Sequence, residues 1–92
     1  MIVRISTEGQ YRLPSAYLDR LNEVDNQLVE VVAKGDRKKF DRLLDKMLKM
    51  VREKGQPLKP DELVGSEIIL PAPGTTLDDA KALFTGDGLI PG

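Results

Sequence analysis

Two amphipathic stretches that meet at a Gly-Asp pair constrain this chain more than any other feature of it. Tyr17, Leu21, Val24, Leu28 and Val31 recur at alternating spacings of four and three. Phe40, Leu43, Leu44, Met47, Leu48 and Val51 follow the i, i+3, i+4 pattern twice without a miss. Both are helical periods, each placing one apolar stripe on one side of a helix. Between them, Gly35 suits the left-handed conformation that closes a helix and Asp36 suits the cap that opens the next. So short a connection folds the two helices back as an antiparallel pair. Pro14 fits the first turn of helix one, Leu18, Val29 and Val32 widen its stripe, Asp25 interrupts the widening, and the second helix ends near Gly55. Each apolar side chain of the second stripe, fully buried, contributes roughly 1.5–3 kcal/mol, which makes that face the expected centre of the core.

What the helical pair covers is written at the ends. Residues 2–13 read IVRISTEGQYRL, with Val3 and Ile5 on one side, Ile2, Arg4 and Ser6 on the other, and Tyr11 and Leu13 sharing a face beyond a turn at Thr7–Gly9. That is a β-hairpin, and a hairpin alone is at best marginally stable in water. After Gly55 the texture changes: four of the six prolines lie between positions 57 and 73, so this part runs over a surface rather than building a layer. Within it, Glu67–Leu70, fenced by Gly65 and Pro71, is the one good candidate for a third strand. Thr76 and Asp79 form a capping box for a short last helix with Leu77, Ala80, Leu83 and Phe84 on its apolar side; Gly86 ends it, and the Leu89–Ile90 tail is expected to be buried. The expected fold is α+β in a single domain, residues 1–92: a small antiparallel sheet, hairpin plus third strand, covered by an antiparallel helical hairpin and a short C-terminal helix.

Composition narrows the chemistry. With no cysteine there is neither a disulfide framework nor a thiolate zinc site, and with no histidine the commonest proton shuttle is missing. A chain of 92 residues buries only about 60–65% of the surface it exposes when unfolded, which leaves little room for a deep active site. Gly86, Gly88 and Gly92 close the chain instead of linking a strand to a helix, so they make no phosphate loop. Asp78 and Asp79 already serve the last helix as dipole and cap partners, and with Asp87 they match no calcium-loop spacing. No catalytic residue, cofactor or metal is assigned, and no enzyme activity is expected. No apolar run approaches the roughly 20 residues of a membrane span, and no leader pattern opens the sequence, so a cytoplasmic location is expected.

The net charge of −1 hides an uneven distribution, because residues 36–54 alone carry +4. Lys38, Arg42 and Lys46 stand at successive i+4 steps with Lys39 and Lys49 nearby, the arrangement an anionic surface requires. Asp41 and Asp45 lie among them and no aromatic residue is interleaved for base stacking, which argues against nucleic acid. Two further groups are candidates for a partner interface. Asp25 and Asn26 sit beside a heptad-like seam, where polar residues set register and partner choice, and Tyr11 and Arg12 sit on the second strand of the hairpin. On this reading, charge reversal at Asp25 leaves the fold intact.

Taken together, IVRISTEGQYRL, LNEVDNQLVEVVAKGD, PDELVGSEIILPAPGTTLDDAKALF and GDGLIPG, in this order and over essentially the whole chain, resemble the PspAA family of proteins associated with phage shock protein A. The resemblance implies a non-enzymatic adaptor or regulatory partner of PspA, a membrane-associated coiled-coil protein of the envelope stress response and of membrane maintenance. It implies recruitment to the inner face of the cell membrane through that partner, and it brings no active site. Two other readings stay open: a peripheral protein that binds anionic lipid through Lys38, Arg42 and Lys46, and a self-assembling structural module, present as a homodimer.

Overall fold

The computed structural model describes residues 1–62 and 64–82. Leu83, Phe84 and the 86–92 terminus, expected to form the end of the last helix and a buried tail, lie outside the described residues. Strands β1 (Ile2–Ile5) and β2 (Gly9–Arg12) form the hairpin, α1 (Leu18–Lys34) and α2 (Arg37–Lys54) the helical pair; β3 (Gln56–Pro57), β4 (Ile68–Leu70) and α3 (Leu77–Ala80) follow. The architecture is α+β, with one sheet in the order β3-β2-β1-β4.

The helical reversal has the geometry the sequence calls for. Gly35 adopts φ 73°, its N–H donates to the carbonyl of Val32 at 3.2 Å, and the Asp36 N–H donates to the carbonyl of Val31 at 3.1 Å. This pair of bonds, one reaching back three residues and one five, is the Schellman closure that only a residue at ease with positive φ supports. The Asp36 carboxylate then accepts from the Lys39 N–H at 3.1 Å, capping α2. The apolar stripes of both helices, Leu21, Val24, Leu28 and Val31 with Phe40, Leu44, Met47, Leu48 and Val51, are buried in one core with Val3, Ile5, Leu13, Ile68 and Leu70 from the sheet side.

At its start α1 is shorter than the sequence predicts. Ser15–Tyr17 form a 3-10 turn after Pro14, and the α-helix begins at Leu18, itself 38% exposed. A larger correction concerns Asp25, which has no exposed surface. It lies four residues after Leu21 and three before Leu28, so helical geometry puts it on the core side of α1 and not on an outer edge. It is no surface contact residue. Among the described residues no buried side-chain oxygen or nitrogen lacks a hydrogen-bond partner.

In the sheet, β1 is central. It pairs antiparallel with β2, Val3 opposite Tyr11, and parallel with β4, Val3 beside Ile68 and Ile5 beside Leu70. The third strand therefore joins as expected, but in parallel. Its direction follows from the route of the chain: after α2, Gln56–Pro57 pair with Arg12 and Tyr11 on the β2 edge, and residues 58–67 then carry the chain to the opposite edge. The Gln10 side-chain amide fastens this crossing by donating to the Val64 carbonyl at 2.8 Å and to Ser66 Oγ at 2.7 Å. Two residues including a proline carry almost no strand signal, and proline is tolerated only on such an edge. The last helix opens as its capping residues require, with the Asp79 N–H donating to Thr76 Oγ1 at 3.2 Å.

Gly55, at the end of α2, lies close against β2. A Cβ there would meet the Val51 carbonyl oxygen at 2.7 Å and the Tyr11 Cβ at 3.2 Å. Since the first is backbone, Gly55→Ala is expected to cost roughly 1–3 kcal/mol, whereas Gly65→Ala, where a Cβ meets nothing within 4 Å, stays near wild type. Urea titrations of the two variants check this contrast, and equal midpoints would refute it. Asp25→Lys places an uncompensated charge in the core and is expected to lose about 3 kcal/mol or more; a thermal melt matching wild type would contradict the placement of Asp25.

Candidate functional site

On the side of the helical pair away from the sheet, a second stripe accompanies the core stripe on each helix. Gln27, Glu30, Val31 and Lys34 on α1 and Lys39, Arg42, Leu43 and Lys46 on α2 both follow i, i+3, i+4, i+7 and, with Asp36, line a groove of about 580 Å³. The reversal at Gly35 sets the two stripes face to face, with Lys34 near Lys39 at one end and Gln27 near Lys46 at the other. Val31, almost fully buried, and the half-buried Leu43 form an apolar floor between charged walls. Each wall spans eight residues, whose seven rises cover about 10.5 Å of helix.

The sequence-predicted cations divide over this surface. Arg42 and Lys46 line the groove, while Lys38, though exposed, does not. Each i+4 step advances about 40° around a helix, so a row of such steps drifts, and Lys38 stands on the far side of Arg42 from Lys39. The structure therefore exchanges Lys38 for Lys39 and adds Lys34 and the floor residues, which the cation row alone does not reveal; the repeated i, i+3, i+4, i+7 spacing beside each core stripe is the signal that does. Several other cations are already paired: Arg37 with Asp78 at 3.0 Å, Lys49 with Glu53 at 4.0 Å, and Arg52 with Glu8.

The remaining candidates are scattered. Asn26 is exposed on α1 and Arg12 on β2. Tyr11 is half-buried and packs against the core, so it acts with the scaffold around the hairpin turn. There Arg52 grips Glu8 with two donors, Nε to Oε2 at 3.0 Å and Nη2 to Oε1. Those hydrogen bonds, helped by the charge of Arg52 and a weaker hydrogen bond from Tyr11, hold the Glu8 carboxyl below the ordinary glutamate range against the opposing effect of burial. The pair ties the turn between β1 and β2 to the end of α2. Asp25, buried in the core, belongs to none of these surfaces.

Among the described residues, no helix is long and apolar enough to cross a membrane, and no three carboxylates gather as metal ligands. The family model described as PspAA, PspA-Associated protein, matches residues 1–92. No curated protein and no solved structure matches the chain significantly.

The grip of Arg52 on Glu8 is only partly shielded from solvent, the side chains being 35% and 25% exposed, so Glu8→Gln is expected to cost roughly 0.5–1 kcal/mol at neutral pH. Because the folded carboxyl titrates below the ordinary value of 4.5, this contribution is complete above 4.5 and is lost as the pH falls below it. Denaturant titrations of wild type and Glu8→Gln at neutral and strongly acidic pH read the difference; one that persists undiminished in acid would contradict the assignment.

Proposed function

The chain belongs to the PspA-associated protein family, and from that premise we propose that it is a non-enzymatic adaptor or regulatory partner of PspA in the envelope stress response and membrane maintenance. The observation that carries this reading is the extent of the family match, which spans residues 1–92 and so includes the hairpin, both long helices and the terminal segment together. The surfaces described above support it, because a shallow groove on a helical pair suits the docking of another helix. A protein that works in this way acts in the cytoplasm and reaches the inner face of the membrane through its partner.

A second reading, direct contact with anionic lipid, draws on the exposed cations Lys38, Arg42 and Lys46. Such a contact is electrostatic and fades as salt rises.

Calorimetric titration of the purified chain into the PspA of the same organism, at physiological salt, tests the adaptor reading. The expected outcome is a saturable complex tighter than about 10 μM. No heat, together with separate elution on a sizing column, would remove it; sedimentation of the chain with anionic vesicles at the same salt would favour the lipid reading instead.

A further inference from the structure

Resting on the reading that the chain binds PspA, we propose that the docking site is the groove between α1 and α2. Its occupant is a two-turn stretch of amphipathic helix that presents apolar side chains to the groove and one flank of carboxylates to α2.

The dimensions set the first part of this assignment. A helix with its side chains is about 10–12 Å across, too large to enter a groove of about 580 Å³. It lies along the mouth and inserts side chains, and the walls of about 10.5 Å accommodate two turns, enough for anchors at i and i+3 or i+4. Val31 and Leu43 are the surface those anchors meet.

Charge sets the second part. Lys34 stands on one wall and Lys39, Arg42 and Lys46 on the other. None of these four is in an ion pair among the described residues, although Arg37, Lys49 and Arg52 of the same helix α2 each are. Of the groove's two carboxylates, that of Asp36 already accepts the Lys39 N–H as a helix cap. On the α1 wall Glu30 offsets Lys34, so the excess positive charge lies on the α2 wall, along one side of the apolar strip, which is the complement of a helix with one acidic flank. A planar bilayer would meet a convex ridge of cations more readily than a concave groove with an apolar floor.

The test compares three full-length proteins by calorimetry against PspA of the same organism: wild type, the triple variant Lys39→Glu, Arg42→Glu, Lys46→Glu, and a control, Arg4→Glu with Lys59→Glu, two exposed cations outside the groove. Thermal melts establish that each is folded, and Lys39→Gln, Arg42→Gln, Lys46→Gln replaces the triple variant if reversal unfolds it. The triple variant is expected to bind about tenfold more weakly or worse, with a flatter salt dependence, and the control to bind as wild type does. Wild-type affinity in the triple variant overturns the groove assignment while leaving the adaptor reading in place. Absence of binding by wild type overturns both. Loss of sedimentation with vesicles of equal parts phosphatidylglycerol and phosphatidylcholine, with PspA binding unchanged, overturns the helical occupant in favour of lipid.

Discussion

The reversal at Gly35–Asp36 is the constraint on which the rest of the molecule depends. A left-handed glycine, two backbone hydrogen bonds to the end of α1 and one carboxylate cap on α2 fix not only the antiparallel course of the helices but their rotation about their own axes. With that rotation set, Leu21, Val24 and Leu28 face the same way as Phe40, Leu44 and Met47, and together they cover the sheet. The same rotation decides what faces outward. Residues 31 and 34 on one helix and 39, 42, 43 and 46 on the other meet across the groove because they lie next to the core stripes in the same register. Core and groove are two consequences of one turn.

The sheet is too small to stand without this cover. Its longest strands have four residues, and what it gives the shared core is the helix-facing positions of β1 and β4, with Tyr11 of β2 packed against them at the margin. Two contacts hold it against α2 at the same end of the molecule. Gly55 allows the end of the helix to approach Tyr11 closely, and Arg52, one turn earlier, holds the hairpin turn through Glu8. The crossing segment, tied down by Gln10, lets β4 reach the far edge and complete the sheet in parallel.

Most of this was legible in the residues, for reasons that also explain what was not. The helical periods, the Gly35–Asp36 junction, the alternation of Val3 and Ile5 and the Thr76 cap are local signals, each read within a few residues of chain. The polarity of Asp25 points to an outer edge, but its position decides: i+4 from Leu21 and i−3 from Leu28 place it inside, whatever its charge. The direction of β4 and the existence of β3 depend on where the chain travels between residues 55 and 68, which no local pattern records. Proline at 57 and 60 argued correctly for a surface route but said nothing of which edge that route would reach.

The cation row shows the same limit in the part of the surface that bears on binding. Lys38, Arg42 and Lys46 form a row on α2, yet a groove needs two walls, and the second belongs to a helix whose own charges favour the opposite reading: residues 14–35 are net acidic. Within that acidic helix, Lys34 lies in the last turn, where a cation also interacts favourably with the helix dipole. One residue can serve both purposes because the closing turn directs it toward Lys39. A rim built from two elements locked together by a tight turn needs little further ordering when a partner arrives, and the conformational cost of association is correspondingly small. For a chain this short, a preorganised edge of its core is a more economical binding surface than a separate loop, which would have to be ordered without a core of its own.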